Sequence, residues 1–423
     1  MEIIERLESE VRVYCRSFPT VFTTAQGNRM TAKDGRVYLD FFSGAGALNY
    51  GHNDPDMEKA LIDYIRSHGV NHGLDMATEA KERFLRTFDE VIMKPRGMDY
   101  KLQFPGPTGT NANEAALKLA RKVTGRSGLI HFTHSFHGMT LGAIAVTSNA
   151  AIRNSAGLEL PNTTTAPYSG YYRDGRNTAD DLEKLLSDSF SGVDKPAAVI
   201  VETVQGEGGI NVADFEWLRQ VERICRDHEL LLIVDDIQAG YGRTGPFFSF
   251  EPAGIKPDMV TIAKSLSGMG LPLAMVMLRP DLDVWEPGEH TGTFRGNNHA
   301  FVTAVAMFEK FWCDDALEKR VVDKGEYIRE RLRAIVDSHS GFEAEVRGRG
   351  FFIGLDCARA ELGNEIIGQC FERGLIMETT GQGDSVVKVM PALISTDADL
   401  DEGLDIIDAA VGTVVEKYGL AAA

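Results

Sequence analysis

Two stretches of this chain end a run of apolar residues with a charged side chain that could do chemistry. The run 230–234 ends at Asp235, and the run 259–263 ends at Lys264. Short, continuous runs of branched apolar residues predict buried strands of the kind found in parallel sheets. In open α/β sheets, ligands bind beyond the carboxyl ends of the strands. We therefore expect Asp235, Lys264 and the nearby Gln238 to lie at one ligand-binding edge.

A carboxylate beside an amine is what an enzyme that uses pyridoxal phosphate requires. The lysine condenses with the aldehyde of the cofactor to form a Schiff base. The aspartate keeps the pyridine nitrogen protonated, so that the ring can accept electrons. Taken alone, Lys264 would be read as an ordinary surface lysine, so this prediction depends on the motifs that occur with it.

A loop of small residues, Pro-Gly-Pro-Thr-Gly-Thr-Asn at 105–111, leads directly into a helix-forming run. Such a loop at a helix N-terminus exposes backbone N–H groups and the positive end of the helix dipole, which suits a phosphate group. We therefore expect a phosphate site at this loop. The loop has neither the Gly-Lys-Ser/Thr of a Walker loop nor a GxGxxG fingerprint. By itself it is better explained as a helix capped by Thr110 or Asn111.

Two further junctions between strand and loop carry side chains suited to a flat, polar cofactor. Phe136 follows the strand-like run 129–133, where an aromatic ring can stack on a cofactor or simply fill the core. His137 fits a structural role better than a metal site, since no partner is spaced for it. Glu202 and Glu207 lie in a glycine-rich loop, either as ligands for polar groups or in a solvated turn. Chance does not readily assemble these motifs in one order at successive junctions.

Composition narrows the range of functions. The chain has 423 residues, 43% of them hydrophobic and 25% charged, which suits one large and one small globular domain. A net charge of −18 argues against nucleic acid as a partner. Five scattered cysteines without a CxxC or Cys/His cluster indicate no metal site and a reducing, cytoplasmic setting. The charged N-terminus is unlike a signal peptide, and no apolar run approaches the roughly 18 residues of a membrane span.

The pattern along the chain predicts an α/β protein with both ends in a smaller domain. Helical and strand-like patterns alternate in the middle of the chain, as in βαβ units. The helical stretches are 56–68, 77–92, 111–123 and 214–228, and the strand-like runs are 129–133, 197–202, 230–235, 259–262 and 273–277. We expect a large domain at 56–314, a small domain at 315–423 and an N-terminal segment, 1–55, that joins the small domain.

The two end regions have patterns of their own. The N-terminal segment predicts an amphipathic helix, a hairpin around the turn Lys33-Asp34-Gly35 and a Gly/Ala-rich loop at 43–52 that approaches another part of the molecule closely. The C-terminal region predicts a helix at 316–338, paired strands within 343–355, a helix at 363–373 and a terminal helix at 399–417.

Together, the motifs resemble the class III aminotransferases, which are pyridoxal phosphate enzymes of fold type I. The most specific part is Asp235-Asp-Ile-Gln238, followed by Gly242-Arg-Thr-Gly245 and then Lys264-Ser-Leu-Ser-Gly268. The resemblance covers nearly the whole chain and includes the stretches 44–52, 109–114, 136–138, 202–209 and 292–297. It implies a large α/β domain, in which helices cover a mostly parallel seven-stranded sheet, and a smaller α+β domain formed by both termini.

The resemblance also implies roles for individual residues. Lys264 and Asp235 correspond to the catalytic lysine and to the partner of the pyridine nitrogen. Ile237 and Phe136 correspond to the residues that sandwich the ring. Thr293 corresponds to a threonine that reaches the phosphate of the neighbouring subunit, which implies a homodimer or a larger homo-oligomer. The implied cofactor site comprises Gly109, Thr110, Asn111, Phe136, His137, Glu202, Asp235, Ile237, Gln238, Lys264 and Thr293.

Within the family, the chain resembles the branch that serves ectoine biosynthesis, on stretches such as 105–111 and 201–211. That branch interconverts L-aspartate 4-semialdehyde plus L-glutamate with L-2,4-diaminobutyrate plus 2-oxoglutarate. Ornithine-type members carry arginines where this chain has Met139 and Lys388. Lysine is a point charge, whereas arginine is a planar fork that matches a carboxylate. The implied substrate residues are Lys388 for the glutamate carboxylate, Glu207 as its alternating partner, and Tyr50 at the mouth of the site.

Other functions on the same scaffold stay open at this point. The amino donor could be 4-aminobutyrate or ornithine, although Met139 and Lys388 weigh against both. An aminomutase or a racemase would use the same cofactor without net amino transfer. A binding or regulatory module that kept only the fold would be expected to have lost the lysine or the aspartate, and both Lys264 and Asp235 are present.

Overall fold

The computed structural model describes residues 2–420; Met1 and residues 421–423, which the predicted terminal domains include, lie outside this part. In chain order, its strands are β1 (Phe22–Gln26), β2 (Arg29–Ala32), β3 (Val37–Asp40), β4 (Lys101–Gln103), β5 (Leu129–Phe132), β6 (Thr163–Ala166), β7 (Ala198–Val201), β8 (Val204–Gln205), β9 (Asn211–Val212), β10 (Leu231–Asp235), β11 (Met259–Ile262), β12 (Met275–Leu278), β13 (Glu345–Arg349), β14 (Phe352–Asp356), β15 (Leu375–Ile376), β16 (Glu378–Thr380) and β17 (Val386–Val389).

The helices of the same part of the chain are α1 (Glu2–Leu7), α2 (Tyr14–Ser17), α3 (Ser43–Gly46), α4 (Pro55–Arg66), α5 (Glu79–Thr87), α6 (Gly109–Thr124), α7 (Leu141–Ala145), α8 (Ala150–Asn154), α9 (Ala179–Ser187), α10 (Phe215–Asp227), α11 (Asn298–Phe311), α12 (Ala316–Ser338), α13 (Ala360–Glu372) and α14 (Asp397–Tyr418). None of the helices within these described residues is long and apolar enough to cross a membrane.

The central sheet has seven strands in the order β4-β12-β11-β10-β7-β5-β6. β10 pairs in parallel with β7 and with β11, whereas β12 runs antiparallel to both of its neighbours. Every residue of β5, β7, β10, β11 and β12 is buried, as expected for strands whose two faces are covered by helices. The predicted α/β fold with a mostly parallel seven-stranded sheet is therefore confirmed.

The two strands that end in chemically active side chains are direct neighbours in this sheet. Their register pairs Ile233 with Met259 and Asp235 with Thr261. Lys264 begins a 3₁₀ turn, Lys264–Ser267, just beyond the end of β11. The parallel pairing therefore brings Asp235 and Lys264 to the same edge of the sheet, as the sequence predicted.

A second group of sheets uses both ends of the chain. β15 pairs in parallel with β3, with Leu375 opposite Leu39, so a C-terminal strand extends the N-terminal hairpin. The strands β13, β14, β17 and β16 form a separate antiparallel sheet, on which α12 and α13 pack. The two chain ends are thus interleaved, while the domain boundaries at 55 and 314 stay a prediction.

Arg243 ties these C-terminal strands to the central part of the molecule. Its guanidinium is fully buried and donates to Asn49 Oδ1 at 2.7 Å, to Phe351 O at 3.1 Å and to Pro391 O at 2.6 Å. Burial lowers the pKa of Arg243 to about 9. A buried guanidinium is tolerated because its donors are satisfied by the surrounding oxygens.

The N-terminal region departs from the predicted amphipathic helix. The structure has two short helices, α1 and α2, and α1 buries no residue. The side chains of Ile3 and Leu7 remain exposed because no other element of the described chain covers them. Most helical stability in proteins comes from the burial of an apolar face, so a longer helix has little to stabilise it here.

Short polar elements were also missed by the sequence pattern. The edge strands β4 and β6 carry the sequences Lys-Leu-Gln and Thr-Thr-Thr-Ala and include residues that are exposed or half-buried. Edge positions do not require the apolar run that marks a central strand. The helix expected over 77–92 is α5 followed by a π-helix at Phe88–Met93.

Close packing between α14 and Phe41 gives a test of how the chain ends are joined. A Cβ atom at Gly403 would lie 2.2 Å from the Phe41 ring, which is buried in the core. Alanine favours a helix over glycine by about 1 kcal/mol. We nevertheless expect Gly403→Ala to lower the free energy of unfolding by about 1–3 kcal/mol, because the ring cannot move aside without strain. Thermal or denaturant unfolding measures the change.

Gly368 in α13 provides the matched control. A Cβ atom there would meet nothing within 4 Å, so Gly368→Ala should raise the free energy of unfolding by about 0.5–1 kcal/mol. If both substitutions stabilise the protein equally, α14 does not pack on Phe41 as described.

Candidate active site

A cavity of about 250 Å³ opens at the carboxyl ends of β10 and β11. A larger hollow of about 620 Å³ adjoins it, and Phe136 and Glu207 line both. Among the residues predicted to hold a cofactor, Asn111 and Thr293 do not line the smaller cavity. The others do, namely Gly109, Thr110, Phe136, His137, Glu202, Asp235, Ile237, Gln238 and Lys264.

Lys264 is held at the cavity by its backbone turn and by a carbonyl group. Its φ is +48°, a left-handed conformation that non-glycine residues seldom adopt. Its Nζ donates a hydrogen bond of 2.9 Å to Ala45 O, in the Gly/Ala-rich loop that was expected to approach another part of the molecule. Burial lowers the pKa of the Lys264 amine. A lowered pKa increases the fraction of neutral amine, which is the nucleophilic form.

Asp235 is fixed by three hydrogen bonds. His137 Nδ1 lies 2.7 Å and Asn113 Nδ2 lies 2.8 Å from Asp235 Oδ2, and Ile237 N donates to Oδ1 at 3.1 Å. These contacts fix the orientation of the carboxylate at the edge of the cavity. The cavity therefore contains an oriented carboxylate that could pair with a ring nitrogen.

Asn113 is a site residue that the sequence argument missed. Besides Asp235, its amide donates to His137 O at 2.7 Å and accepts from Thr261 Oγ1 at 2.7 Å. Asn113 therefore ties the start of α6 to β11 and to the loop after β5. Its place one turn after Gly109, on the helix that follows the small-residue loop, is the only signal in the sequence that could have indicated it.

Two apolar side chains line the cavity where a flat ring would lie, as expected from the sequence. Ile237 and Phe136 both contribute to the lining. A Cβ atom at Gly109 would lie 2.9 Å from Ile237 Cδ1, so the helix start approaches Ile237 closely. At Gly138, where φ is +131°, a Cβ atom would lie 2.2 Å from Thr110 Oγ1. Gly109 and Gly138 therefore allow the backbone to approach Ile237 and Thr110 more closely than a residue with a side chain could.

The N-terminus of α6 supplies the candidate phosphate site. Thr108 is the N-cap residue, and its side chain makes no capping hydrogen bond to the helix backbone. The first amides of a helix have no partner within the helix, so they are free to bind an anion. The Asn111 side chain donates to Thr108 Oγ1 at 2.8 Å. The group of Asn111 that could bind a phosphate is therefore its backbone N–H. Thr110 Oγ1 is 2.8 Å from Thr140 Oγ1.

Glu202 is a buried acid beside Asp235. It accepts a hydrogen bond of 3.1 Å from Phe136 N. Burial and the negative charge of Asp235 raise the pKa of Glu202 well above its ordinary value. A raised pKa favours the protonated form of Glu202, which could donate a hydrogen bond into the cavity.

A chain of polar contacts leads from the cavity to Lys388. Gln238 Nε2 donates to Ala45 O at 2.9 Å and to Glu207 Oε1 at 3.2 Å. Lys388 Nζ then lies 2.7 Å from the same Glu207 oxygen. Burial opposes the charge of Glu207, but Lys388 and Lys264 lower its pKa to about 2. Burial likewise opposes the charge of Lys388, but its carboxylate partners hold its pKa above the ordinary value.

Two predicted site residues lie away from the cavity of this chain. Tyr50 is fully buried, and its hydroxyl donates to Tyr241 O at 3.3 Å and accepts from Trp312 Nε1 at 2.8 Å. The structure therefore corrects the expectation that Tyr50 meets substrate, because its polar atom is already satisfied in the core. Thr293 is exposed, in the segment before α11, and its predicted role toward a neighbouring subunit stays a prediction.

The residues present fit pyridoxal phosphate. The cavity combines a buried amine, an oriented carboxylate, apolar side chains for a ring, and a helix N-terminus for a phosphate. His137 Nε2 is buried without a hydrogen-bond partner among the described residues, so the site is polar on the Asp235 side. No group of histidine, cysteine, aspartate and glutamate residues within 2–420 is arranged to hold a metal ion.

Comparison with known families and proteins agrees with this geometry. The family model described as aminotransferase class III matches residues 12–411. A diaminobutyrate–2-oxoglutarate transaminase of Halalkalibacterium halodurans is 54% identical over 420 residues, which cover 99% of this chain and 98% of the relative. The enzyme of the same name from Nocardia farcinica is 55% identical over 417 residues, with 99% of this chain and 95% of the relative covered.

Solved structures show the same fold. An ornithine aminotransferase of Toxoplasma gondii superposes with a TM-score of 0.85 at 27% identity, over 98% of this chain and 94% of the other. That structure is described with PLP at partial occupancy in its active site. A Bacillus anthracis aminotransferase gives a TM-score of 0.87 at 22% identity, over 97% of this chain and 98% of the other, which supports the fold alone.

The clamp on Asp235 gives a test of the site. Asn113→Ala removes one donor from a buried carboxylate, and a hydrogen bond to a charged group contributes about 1.5–3 kcal/mol. We therefore expect the affinity for pyridoxal phosphate to fall by about tenfold or more. Titration of the cofactor-free protein with pyridoxal phosphate, followed by absorbance, measures the dissociation constant.

Asn113→Asp should weaken cofactor binding further than Asn113→Ala. The second carboxylate would face Asp235 and favour protonation of one of the two acids. Thermal unfolding of the cofactor-free variants checks that they are folded. Wild-type affinity in Asn113→Ala would mean that this side chain does not position Asp235.

Proposed function

Because the chain belongs to the class III aminotransferase family, we propose that it interconverts L-aspartate 4-semialdehyde plus L-glutamate with L-2,4-diaminobutyrate plus 2-oxoglutarate. The observation that carries this proposal is the similarity, over nearly the whole chain and at more than half of the positions, to transaminases named for diaminobutyrate and 2-oxoglutarate. Membership of the family shows that the substrates are small molecules. We propose the four named compounds as those substrates.

Pyridoxal 5′-phosphate is the cofactor of this aminotransferase. When bound, it supplies an aldehyde that reacts with amines and a ring that takes up electrons from the substrate carbon. We propose that Lys264 holds the aldehyde and that Asp235 holds the ring nitrogen. Ile237 and Phe136 would enclose the ring, and the N-terminus of α6 would hold the phosphate.

Lys264 has a second role as the base and acid of the reaction. Once a substrate amine replaces it, its free Nζ can take a proton from the substrate carbon that bears the amino group. The same Nζ can then give this proton to the carbon that was the aldehyde carbon of the cofactor. The amine must be neutral to act as a base, and burial lowers its pKa in that direction. The hydrogen bond to Ala45 O keeps Nζ at the cavity.

Lys388 and Glu207 provide a way to accept two different substrates. With glutamate, the substrate carboxylate would take the place of Glu207 beside Lys388. With diaminobutyrate, whose terminal amine reacts and whose α-carboxylate points toward the mouth, Glu207 would stay paired with Lys388. The ammonium of Lys388 remains neutralised in both cases, which matters because an unpaired buried charge costs several kcal/mol.

The exposure of Thr293 bears on how the protein assembles. We propose a homodimer or a larger homo-oligomer in which Thr293 reaches the partner's phosphate site, supported by its exposure in this chain and by the resemblance at 292–297. Each subunit would then complete its neighbour's site. We also propose a cytoplasmic location, supported by five cysteines that are all free.

A competing donor is ornithine, since an ornithine aminotransferase shares the fold at 27% identity. Ornithine is one methylene longer than diaminobutyrate. In this chain, the corresponding carboxylate-binding positions hold Met139, which is exposed, and Lys388, which already has two carboxylate partners. Met139 and Lys388 therefore favour diaminobutyrate over ornithine as the amino donor.

A single-turnover experiment tests the proposed donor. The enzyme with bound cofactor is mixed separately with L-2,4-diaminobutyrate, 4-aminobutyrate and L-ornithine, and the loss of the visible absorbance of the Lys264-bound cofactor is followed. We expect diaminobutyrate to react at least about tenfold more efficiently than either alternative, since buried polar groups in the site reject analogues that leave them unpaired.

Lys264→Ala serves as the blank in that experiment. It should still bind the cofactor but lack the visible absorbance of the lysine-bound form and give no turnover. A faster reaction with ornithine or 4-aminobutyrate than with diaminobutyrate would overturn the proposed substrate, while leaving the aminotransferase family intact.

Lys388 gives a separate prediction for glutamate. Lys388→Ala should raise the KM for glutamate by about tenfold or more, because the carboxylate loses its cation. Lys388→Arg should retain more of the affinity, since arginine also carries a fixed positive charge. Removal of the lysine also leaves the buried Glu378 and the half-buried Glu207 without this cation, so Lys388→Ala should lower the free energy of unfolding by about 3–5 kcal/mol. An unchanged KM in Lys388→Ala would remove Lys388 from the carboxylate site.

A further inference from the structure

Lys388 has a second carboxylate partner that the sequence did not indicate. Glu378 Oε1 lies 2.8 Å from Lys388 Nζ. Glu378 is on β16, which pairs antiparallel with β17, the strand that carries Lys388. The side chain of Lys388 is 0% exposed, whereas that of Glu207 is 35% exposed and that of Glu378 is 11% exposed. The accessible polar atoms of this cluster are therefore carboxylate oxygens, not the lysine ammonium.

The cluster has more negative than positive groups. One ammonium stands between two carboxylates, and Glu207 alone is enough to neutralise it. Glu378 therefore adds a negative charge that Lys388 does not need. Burial raises the pKa of Glu378 above its ordinary value, although Lys388 opposes this. A further cation beside Glu378 would favour its ionised form and offset the cost of its burial.

Glu378 lies at the far end of the polar chain that starts at the reacting amine. Lys264 and Gln238 share Ala45 O, Gln238 contacts Glu207, and Glu207 contacts Lys388. Lys388 then contacts Glu378. A substrate whose terminal amine reacts at Lys264 would extend its other end along this chain.

Tyr14 marks the outer limit of this region. Burial, together with the negative charges of Glu378 and Glu207, raises the pKa of the Tyr14 phenol to about 12. Tyr14 itself is 48% exposed and its ring packs on Phe42 at a centroid distance of 4.9 Å. Glu378 thus lies between the buried Lys388 and the partly exposed Tyr14.

We propose that Glu378 recognises the α-ammonium group of L-2,4-diaminobutyrate, an inference that rests on the proposed function. With this substrate bound, Glu207 remains on Lys388 and the substrate ammonium balances Glu378, so every charge in the cluster has a partner. The substrate 4-aminobutyrate is the same molecule without the α-amino group, and it leaves Glu378 unbalanced. Glu378 is therefore the residue that selects the diamino acid over the simple ω-amino acid.

The test compares two donors in wild type and in Glu378→Gln. We expect the kcat/KM for diaminobutyrate to fall by about 10- to 100-fold, mainly through KM, since a hydrogen bond to a charged group is lost. The kcat/KM for 4-aminobutyrate should stay the same or rise, because this donor does not use Glu378. The ratio of the two values measures the selectivity.

Three controls separate recognition from a general effect. Glu378→Asp keeps the carboxylate and should recover part of the selectivity. Glu372→Gln removes an exposed carboxylate at the end of α13 and should leave the ratio unchanged, which excludes a long-range effect of net charge. The third control changes the substrate and not the protein. In the wild-type enzyme, replacing the α-ammonium group of diaminobutyrate by a hydroxyl, as in 4-amino-2-hydroxybutyrate, should lower kcat/KM in the same way.

The outcomes distinguish this inference from the proposed function. If wild type does not prefer diaminobutyrate over 4-aminobutyrate, the proposed function fails. Suppose instead that wild type prefers diaminobutyrate. If Glu378→Gln then keeps the wild-type ratio, or lowers kcat/KM for both donors by the same factor, Glu378 does not select the α-ammonium group. Equal efficiency of diaminobutyrate and the hydroxyl analogue in wild type would overturn the inference even if Glu378→Gln fails to fold.

Discussion

The parallel pairing of β10 with β11 is the constraint on which the site depends. Burial of apolar residues drives both strands into the centre of the sheet, and the charged residues that follow can then emerge only at its edge. Asp235 and Lys264 are brought together in this way although neither hydrogen-bonds to the other. The register that pairs Asp235 with Thr261 fixes how far along the edge each side chain appears.

Burial makes the charges of this site depend on one another. Asp235 is 5% exposed and Lys388 is fully buried, so each charge requires partners that do not move away into water. His137 and Asn113 meet this need for Asp235, and Glu207 meets it for Lys388. Substrate groups enter such a cluster by replacing one partner with another of the same charge, which connects stability with substrate choice.

The same scaffold serves aminotransferases with different donors, so the fold by itself does not select the substrate. The reacting centre proposed at Lys264 and Asp235 needs only a substrate amine and the electron-accepting ring of the cofactor, whichever donor is used. In the proposed arrangement, selection is left to the distal end of the substrate, beside Lys388 and Glu378. A few side chains on β16 and β17 can therefore change the substrate without altering the chemistry.

The sequence by itself determined the class of fold, the strand–loop junctions, and the residues Lys264 and Asp235, because buried central strands leave a continuous apolar pattern that ends at a charge. Tertiary structure decided the features that depend on residues far apart in the chain. Asn113 meets Asp235 across 122 positions and Glu207 meets Lys388 across 181, and no local pattern encodes either contact. The same reason explains why Tyr50, which the sequence placed at the site, is satisfied in the core, and why Glu378 gave no signal of its own.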